Sequence, residues 1–310
     1  MECFSFSFDA MGSRCGVHLF TEAYSEALVA AESVIKEVKR IERLYSRYID
    51  ESETSRINRA ANAGTPIVVG PETARLLTMA FRFHRMSNGL FDITSGIFRK
   101  VWNFSSKEVP SENQVKALLP FVGMHNLILQ GHTLQFKIAG MELDFGGIAK
   151  EYASDMAAQI CRTMGEKHCL VDLGGDIAVV GPLPNGAPWK IHIRHPRIPN
   201  NSLAILDVSK GGVATSGDYE RFIDANGKRF CHILNPKTGF PTQGIASVTV
   251  VASSCRLAGG LSTSAMLQGD NAPGWLIKTN RPHAWILADG KSGGTLLQKI
   301  TKPLNYLSLL

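Results

Sequence analysis

The segment Leu143-Asp-Phe-Gly-Gly-Ile-Ala-Lys150 leads into a long helical pattern, and the runs that follow this helix decide the fold class. Apolar residues recur on one helical face from Ala149 to Met164, and Gly165 is suited to end the helix. A glycine pair at a helix start predicts an anion site, because unpaired amides and the helix dipole both face outward there. Lys150 adds a positive charge at the same place.

Short strand-like runs follow this helix, separated by turn-rich stretches. They are Cys169 to Leu173, Ile177 to Val180, Trp189 to Arg194, Ala204 to Val208 and Ala246 to Ala252, with a last run from Trp285 to Leu287. Their lengths and spacing predict antiparallel sheets with helices packed on one face, which is an α+β fold. No linker or repeat divides the chain, so we expect a single domain over residues 1–310, with an appended tail from about Leu296.

The amino-terminal half adds a hairpin and two helices to this pattern. Phenylalanines alternate with polar residues over positions 4–8 and predict a strand, with residues 15–20 as its partner. Helical spacing of apolar residues runs over 27–44 and again over 71–86, where a proline fits the first turn. The polar stretch 46–58 has no steady period, so we expect a loop with a short helical turn there.

Composition and charge favour an ordinary globular protein with an anionic ligand. Hydrophobic residues make up 44% of the chain and charged residues 19%, so it lacks the charge excess that keeps a chain disordered. The net charge of +6 favours anionic partners. The basic residues are scattered, however, and no aromatic-studded basic stripe accompanies them, which argues against nucleic-acid binding.

Targeting features and cysteine spacing favour a cytoplasmic protein. The first residues lack the basic and apolar regions of a secretory signal, and no run of apolar residues is long enough to span a bilayer. The six cysteines stand apart without the spacing of a zinc site. We therefore expect free thiols in a reducing compartment, and no membrane insertion.

Two further segments place small residues beside acids and hydroxyls. Val171-Asp-Leu-Gly-Gly-Asp176 contains a glycine pair, and Val213-Ala-Thr-Ser-Gly-Asp-Tyr-Glu-Arg221 combines hydroxyls with charge. Glycines let backbone amides approach an anion, so these segments together with 143–150 predict a ligand that bears phosphate. Asp176 and Asp218 would either contact that ligand or only shape turns.

Seven motifs occur in a fixed order along the chain. They are Ala10-Met-Gly-Ser13, Ser46-Arg-Tyr48, Asn88-Gly-Leu-Phe-Asp-Ile-Thr94 with Trp102, Leu143 to Tyr152, Leu173-Gly-Gly-Asp176, Val213 to Arg221 and His232-Ile-Leu-Asn-Pro-Lys-Thr-Gly239. In this order and spacing the chain resembles the ApbE-type FAD:protein FMN transferases, over residues from about 8 to about 290. The resemblance implies an ApbE-like, T-fold-like single domain.

The resemblance also implies an activity. Such proteins bind FAD as a substrate, split its pyrophosphate with Mg²⁺, and join FMN to a Thr or Ser hydroxyl of a target flavoprotein with release of AMP. Charge grows on the leaving phosphate while the incoming hydroxyl loses its proton, so a cation near the pyrophosphate and a base near the acceptor are both needed. We expect FAD, Mg²⁺ and an acceptor flavoprotein as partners; the identity of the acceptor and the oligomeric state stay open.

By resemblance, His232 would be the base of this reaction. An unperturbed histidine titrates near about pH 6.5 and needs little adjustment to accept a proton at neutral pH. The alternative interpretation is a partly buried strand histidine with a structural hydrogen bond.

The resemblance assigns the FAD site to residues that are far apart in the sequence. They are Met11, Tyr48, Leu90, Phe91, Asp92, Asp144 and Lys150, to which we add the hydroxyls of Thr215 and Ser216. Asp144 would accept hydrogen bonds from adenine or ribose, since a carboxylate near phosphates would repel them. Asp92 would equally suit an Asx turn, and Lys150 a solvated first-turn lysine.

In this chain, one position of the family's metal-site pattern carries a different residue. By resemblance, Mg²⁺ would be held by the carbonyl of Gly147, the hydroxyl of Thr263 and an Asp four residues before that Thr. Gly259 stands at the expected Asp. Since Mg²⁺ relies on one or two carboxylates plus substrate phosphates, this change should weaken metal binding.

Two outcomes of this change stay open. Either the pyrophosphate keeps a weaker metal and the chain is a transferase, or the chain is an FAD-binding protein with weakened or lost activity. The transferase is favoured because several site residues are retained: Gly147, Lys150, His232 and Thr263. Gly259→Asp should then lower the metal concentration needed, unless another acid such as Asp207 already replaces the ligand. The pair Gly259 and Gly260 should also weaken its helix, by roughly 1 kcal/mol per glycine.

Overall fold

The structure is a computed structural model that describes residues 1–106, 108–198, 201–225 and 227–297. Its strands in these ranges are β1 (Glu2–Ala10), β2 (Ser13–Thr21), β3 (Ile67–Val68), β4 (Leu127–Gln130), β5 (Thr133–Phe136), β6 (Cys169–Leu173), β7 (Asp176–Val179), β8 (Trp189–Arg194), β9 (Ser202–Val208), β10 (Gly211–Gly217), β11 (Phe222–Ala225), β12 (Lys228–Cys231), β13 (Ile245–Ala252), β14 (His283–Leu287) and β15 (Ser292–Gly293). Its helices are α1 (Tyr24–Tyr45), α2 (Glu53–Ala63), α3 (Pro71–Met86), α4 (Glu112–Leu118), α5 (Ala149–Thr163), α6 (Cys255–Met266) and α7 (Ala272–Lys278), with short 3-10 segments at Ile93–Lys100, Leu119–Phe121, Met124–Asn126 and Gly269–Asn271.

Strands from both ends of the chain meet in one large antiparallel sheet. Within the described residues its order is β1-β2-β6-β7-β10-β13-β14-β15. Neighbouring strands are antiparallel throughout. Three smaller sheets accompany it in the order β3-β5-β4, β8-β9 and β11-β12. The predicted α+β fold with antiparallel sheets and packed helices is confirmed.

Both faces of the large sheet are covered. Val171 and Ala178 face a core that includes buried residues of α1, α5 and α6, whereas their strand neighbours Leu170 and Val179 face a second core built with β8 and β9. Because side chains alternate across a strand, the central strands contribute to both cores. The helices lie on one face, as predicted, and the β8–β9 hairpin closes the other.

The hairpin predicted near the amino terminus forms between β1 and β2. Ala10 lies opposite Ser13, so Met11 and Gly12 make a two-residue turn, with φ of 53° at Met11 and 69° at Gly12. Two positive φ values are what a mirror-image hairpin turn needs, because it matches the twist of the strands. This turn brings the chain near residue 11 to the cavity described below.

The stretch 46–58 contains more helix than the sequence pattern indicated. Instead of a loop with one short turn, α2 begins at Glu53 and continues to Ala63. The Ser52 side chain accepts a hydrogen bond from the Ser55 amide at 3.0 Å, and Gly64 ends the helix with a φ of 67°. These caps provide hydrogen-bond partners for backbone groups at the two ends of the helix. The helix is polar and its apolar side is narrow, so periodicity alone did not reveal it.

Helix α6 forms in spite of its two glycines. A Cβ at Gly260 would lie 2.0 Å from Cζ of Phe83 in α3, and a Cβ at Gly259 would lie 2.3 Å from Cγ of Glu151 in α5. Both contacts are closer than real Cβ atoms approach other atoms. The glycines therefore serve the close approach of neighbouring helices, and Asp155 caps the start of α6 by accepting from the Cys255 amide at 2.8 Å.

The carboxy-terminal elements extend slightly further than expected. Strand β14 contains the predicted run 285–287, and β15 pairs with it. Leu296 and Leu297 pack against the core under β8 and β9, while the remainder of the predicted tail, 298–310, lies outside the described residues. In the described ranges, no helix combines the length and apolar character needed to cross a membrane.

Candidate functional site

One cavity of about 650 Å³ brings the predicted site residues together. The β1–β2 turn, the start of α5, the end of β10 and the chain after β12 all reach it. The predicted residues that line it are Met11, Tyr48, Leu90, Phe91, Asp92, Asp144, Gly147, Lys150, Thr215, Ser216, His232 and Thr263. Its volume lies within the range of about 300–1,000 Å³ that is typical of small-molecule sites. The individual roles of these residues stay predictions.

Lys150 at the start of α5 is held in an ion pair. Its Nζ lies 2.8 Å from Oδ2 of Asp176, whose side chain is 7% exposed. Burial alone would lower the pKa of Lys150, but the charge and hydrogen bond of Asp176 raise it above its usual value. Lys150 is thus a fixed cation in the cavity wall and not a solvated lysine, and Asp176 does more than shape a turn.

Glu151, the next residue, is a buried acid that sequence analysis did not single out. The residue is 6% exposed and lines the cavity. Its Oε2 has no hydrogen-bond partner among the residues that the structure describes. Burial, reinforced by the nearby charge of Asp176, raises the pKa of Glu151 well above its usual range.

The side chain of Glu151 fills the space beside Gly259. A Cβ at position 259 would lie 2.3 Å from Cγ, 2.5 Å from Oε1 and 2.7 Å from Cδ of Glu151. An aspartate introduced at position 259 would therefore require the Glu151 side chain to move aside. The expectation that Gly259→Asp by itself would lower the metal concentration needed stays a prediction, and the group that it must displace is the Glu151 side chain.

Asp207 and Asp218 both lie away from this place. The carboxylate of Asp207 pairs with Nζ of Lys190 at 2.6 Å, and its side chain is 57% exposed. Asp218 pairs with Arg197 through two bonds of 2.6 Å. Neither acid lines the cavity. Asp207 is therefore not the replacement ligand that the sequence left open.

Hydroxyl groups of β10 and α6 form one wall of the cavity. Oγ of Ser216 lies 2.8 Å from Oγ of Ser262 and 3.0 Å from Oγ1 of Thr263. Oγ1 of Thr215 lies 2.8 Å from Oγ1 of Thr249 on the adjacent strand. These hydroxyls are oriented by one another and remain able to contact a ligand, since each hydroxyl can donate once and accept twice.

Asp144 is bound by two arginines. Its Oδ2 accepts from Nε of Arg99 at 2.8 Å and from Nη1 of Arg47 at 3.2 Å, and its Oδ1 accepts from the Gly146 amide at 2.8 Å. Burial opposes ionisation of Asp144, but the two guanidinium groups outweigh it and lower its pKa. We call Asp144, Arg47 and Arg99 the arginine cluster. In the described structure Asp144 positions these two cations, while its contact with adenine or ribose stays a prediction.

The side chain of Asp92 forms the Asx turn that was its alternative interpretation. One carboxylate oxygen accepts from the amide and the hydroxyl of Thr94, at 2.8 and 2.5 Å, and the other accepts from the Met124 amide at 2.9 Å. The side chain therefore caps the 3-10 segment that begins at Ile93. Asp92 reaches the cavity wall, but its carboxylate holds the loop together.

His232 stands directly after β12 and faces Arg221 across the base of the β11–β12 hairpin. Its amide donates to the Arg221 carbonyl at 3.0 Å, and its Nδ1 lies 3.2 Å from the same oxygen. A carbonyl can only accept, so Nδ1 carries the proton and Nε2 keeps a free lone pair. Burial, with the charges of Arg221 and Arg99, lowers the pKa of His232 to about 4. The expectation of a nearly unperturbed histidine is therefore wrong.

Tyr48 and Met11 occupy the rim of the cavity. Tyr48 is 77% exposed, and its hydroxyl lies 3.5 Å from Nη1 of Arg99. The Met11 amide donates to Oε1 of Glu42 at 2.5 Å, which fixes the β1–β2 turn against α1. A large exposed ring beside a cation is suited to cover a planar ligand.

The donors available for a metal are mostly neutral oxygens. Among the described residues, no group of three or more His, Cys, Asp and Glu side chains is placed to hold a metal ion. Thr263, Gly147 and Glu151, which has an unpartnered oxygen, nevertheless all line the same cavity. Hard oxygens with a single acid fit Mg²⁺, provided that a ligand contributes phosphate oxygens.

Sequence reasoning missed three charged residues that shape the cavity. Arg47 and Glu151 lay within quoted motifs but were given no role, and Arg99 was not considered. Each of them acts through a residue that is distant in the chain; Arg47, for example, binds Asp144 across 97 positions. The one signal in the sequence that could have indicated such residues is a charged side chain next to a predicted site residue, as Glu151 is next to Lys150.

Comparison with known proteins identifies relatives over most of the chain. A model described as the ApbE family matches residues 11–287. The FAD:protein FMN transferase of Vibrio cholerae is 32% identical over 231 residues, which are 73% of this chain and 69% of that protein. The FAD:protein FMN transferase of Haemophilus influenzae is 31% identical over 251 residues, which are 77% of this chain and 72% of that protein.

Solved structures of similar proteins share the fold. The crystal structure of the ApbE protein of Thermotoga maritima superposes with a TM-score of 0.87 at 28% identity, covering 94% of this chain and 97% of that one. The flavin transferase ApbE of Vibrio cholerae superposes with a TM-score of 0.84 at 26% identity, covering 96% and 98% of the two chains. The similarity thus extends to nearly the whole length of both structures.

Proposed function

Because this chain belongs to the ApbE family, whose curated relatives are FAD:protein FMN transferases, we propose that it transfers FMN from FAD to a Thr or Ser hydroxyl of a flavoprotein and releases AMP. The family consists of transferase enzymes. The finer points, which are the Mg²⁺ requirement and the retention of activity in this chain, rest on the site itself.

The observation that carries the proposal is one cavity lined by residues from motifs spread between positions 11 and 263. The cavity has cations on two sides, with Lys150 in one wall and the arginine cluster in another. A dinucleotide with a central diphosphate suits this distribution, since fixed cations lower the energy of bound phosphate. The exposed ring of Tyr48 would cover one of the flat ring systems of FAD.

In the proposed reaction the acceptor hydroxyl oxygen forms a bond to the phosphorus of the FMN half. The bond between that phosphorus and the bridging oxygen of the pyrophosphate breaks, and AMP leaves with the bridging oxygen. His232 is neutral at pH 7, and its Nε2 would take the proton of the hydroxyl. Arg221 and Arg99, whose charges lower the pKa of His232, would lie near the phosphates and stabilise their negative charge.

Mg²⁺ would be held by the Gly147 carbonyl and the Thr263 hydroxyl together with oxygens of the FAD diphosphate. When bound, it would neutralise charge on the pyrophosphate and make AMP a better leaving group. Ser216 would orient Thr263 for this purpose, since their hydroxyls lie 3.0 Å apart.

A direct assay tests the proposed transfer. Purified protein is incubated with FAD, Mg²⁺ and a candidate acceptor flavoprotein, and the acceptor is then examined by mass spectrometry while AMP is measured in solution. We expect an added FMN on the acceptor and one AMP for each adduct. An acceptor with its Thr or Ser replaced by Ala is the matched control and should gain no mass.

A second function is favoured by the glycine at position 259. Without the usual carboxylate, the chain would bind FAD and not transfer it. The same experiment separates the two functions: if FAD binds but neither adduct nor AMP appears at millimolar Mg²⁺, the transferase proposal is wrong and the FAD-binding function replaces it.

A further inference from the structure

The missing carboxylate of α6 has a counterpart on α5. Position 259 carries no side chain, and the place that its Cβ would take lies within 2.3 to 2.7 Å of Cγ, Oε1 and Cδ of Glu151. A carboxyl group is therefore present in the volume where a side chain of residue 259 would be, although it comes from a helix 108 positions earlier in the chain (259 minus 151).

The state of Glu151 indicates a ligand. The residue is 6% exposed, and its Oε2 finds no hydrogen-bond partner within the described ranges. A buried polar oxygen without a partner costs free energy, so native structures rarely keep one unless something binds there. Glu151 also belongs to the residues that line the cavity.

The neighbouring groups complete an oxygen-rich pocket. Thr263 lies one helical turn after Gly259 on α6, and its hydroxyl is held by Ser216 at 3.0 Å. Gly147 precedes α5 and lines the same cavity. The ion pair of Lys150 is made with Asp176 at 2.8 Å, which leaves the carboxyl group of Glu151 for a cation.

Asp155, the other acid of α5, is partly buried and already has hydrogen-bond partners. Its two oxygens accept from the amides of Cys255 and Arg256, at 2.8 and 3.1 Å, and it does not line the cavity. Of the two carboxylates that α5 presents to α6, Glu151 alone reaches the cavity.

We propose that Glu151 supplies the carboxylate ligand of the Mg²⁺ site, from α5, in place of the Asp that position 259 lacks, and that it acts together with the Thr263 hydroxyl and the Gly147 carbonyl. The inference rests on the proposed function, because Mg²⁺ enters through the FAD pyrophosphate chemistry. It removes the reason for assigning this chain a lapsed metal site.

Binding of Mn²⁺ in the presence of FAD tests the inference without reference to turnover. The signal of free Mn²⁺ in electron paramagnetic resonance is titrated against the wild type, Glu151→Gln, Gly259→Asp and the double variant Glu151→Gly with Gly259→Asp. Mg²⁺ is added at the end as a competitor. Circular dichroism and the melting temperature of each variant establish that it is folded.

We expect Glu151→Gln to weaken Mn²⁺ binding by at least about tenfold, since even changes outside the ligands cost about 10- to 100-fold. Gly259→Asp alone should also weaken binding or fold poorly, because its side chain meets Glu151. The double variant moves the carboxylate to α6 and frees the space, so it should bind Mn²⁺ within a few fold of the wild type.

A folded Glu151→Gln protein that binds Mn²⁺ as tightly as the wild type would overturn the inference. If Glu151→Gln does not fold, the double variant decides: Mn²⁺ binding restored supports the inference, and a folded double variant without it refutes it. The transfer assay is independent of these results. Wild-type protein that modifies its acceptor while Glu151→Gln keeps full Mn²⁺ affinity refutes this inference alone, and Glu151-dependent Mn²⁺ binding without transfer refutes the proposed function alone.

Discussion

A histidine with a pKa of about 4 remains neutral at every pH at which the protein is expected to work. Its depressed pKa makes His232 a weaker base than an ordinary imidazole but keeps all of it in the proton-accepting form. The hydrogen bond from Nδ1 to the Arg221 carbonyl selects the nitrogen that remains free. The sequence motif therefore predicted the residue, but the structure changes its expected pKa.

The pH dependence of kcat/KM should follow this histidine. Since the neutral form is active, kcat/KM should stay level from pH 7 to about pH 5 and fall only as the pH drops through the pKa near 4. Arg221→Gln should move this fall to higher pH, because the Arg221 charge lowers the pKa of His232. AMP release measured across the pH range checks both. A fall centred near about pH 6.5, the value for an unperturbed histidine, would contradict the expected environment.

Replacing His232 itself should reduce transfer by about 10²- to 10⁴-fold, which is the usual contribution of general base catalysis. His232→Asn is suited to the test, and FAD binding should change little. His18→Asn is a matched control, because this partly exposed histidine lies on the outer strands, away from the cavity, with its Nδ1 2.8 Å from Oγ of Ser5. Equal rates for the His232 variant and wild type would assign the histidine a structural role.

The arginine cluster should matter for stability as well as for the ligand. Asp144→Ala leaves Arg47 and Arg99 without their shared carboxylate, and we expect the free energy of unfolding to fall by about 2–4 kcal/mol. The pKa of Asp144 is lowered in the folded state, so its stabilisation is present above the unfolded value of about 3.9 and is lost as the pH falls through the lower folded value. Urea unfolding at pH 7 measures the loss.

The exposed pair of Asp207 with Lys190 provides the control for this measurement. Their side chains are 57% and 65% exposed, so the ion pair is screened by solvent. Asp207→Ala should leave the unfolding curve almost unchanged. If the free energy of unfolding falls by a similar amount in both variants, the arginine cluster contributes no more to stability than an exposed ion pair.

At the scale of helices, the close contact of α6 with α3 and α5 depends on small residues. Gly260→Ala would place a methyl group 2.0 Å from Cζ of Phe83. In an exposed helix, replacing glycine by alanine would stabilise the folded state by about 1 kcal/mol. Overpacking of a core destabilises it by about 1–3 kcal/mol, and we expect this larger effect to decide the result at Gly260. We therefore expect Gly260→Ala to lower the melting temperature.

Gly274 in α7 serves as the comparison for Gly260. A Cβ there would meet nothing within 4 Å, so Gly274→Ala should raise the melting temperature slightly. Opposite signs for the two alanines, measured by thermal unfolding, would support the packing role of Gly260. If the melting temperature rises in both variants, α3 can move aside to make room for the added methyl group at little cost.

The elements that sequence reasoning predicted are those with a wide apolar face. Helix α3 has the predicted bounds, and α5 begins at Ala149, where its predicted apolar face begins. Helix α2 was missed because its caps, more than its apolar side, determine it. Strand β10 was not expected because its hydroxyl-rich sequence becomes a strand through pairing with β7 and β13, which is information that lies elsewhere in the chain.

At the scale of the whole molecule, the cavity joins the amino-terminal turn to residues beyond position 260. The glycine and acid motifs predicted the residues that line it, because such motifs are local. The partners of those residues could not be predicted in this way. Arg99 with Asp144, and Glu151 with the space at Gly259, meet only after the sheet and the helices have assembled.

FAD should therefore stabilise the folded chain as a whole. At a concentration of 100 times its Kd, a ligand that binds only the folded state adds about 2.7 kcal/mol, which should appear as a rise of the melting temperature. Riboflavin lacks the phosphates that would contact Lys150 and the arginine cluster, so it should produce a much smaller rise at the same concentration. Equal effects of FAD and riboflavin, or no effect of either at millimolar concentration, would show that the cavity does not hold the diphosphate.

The shared volume of Glu151 and position 259 has a consequence for the history of the fold. The Glu151 side chain occupies the space that a Cβ at position 259 would take, so a side chain gained at 259 crowds Glu151, and a side chain lost at 151 leaves that space empty, unless both positions change. Substitutions at the two positions should consequently be correlated among relatives, with glycine at one accompanying an acid at the other. A lineage that exchanged them would have moved a charge between helices while leaving its location in space nearly constant.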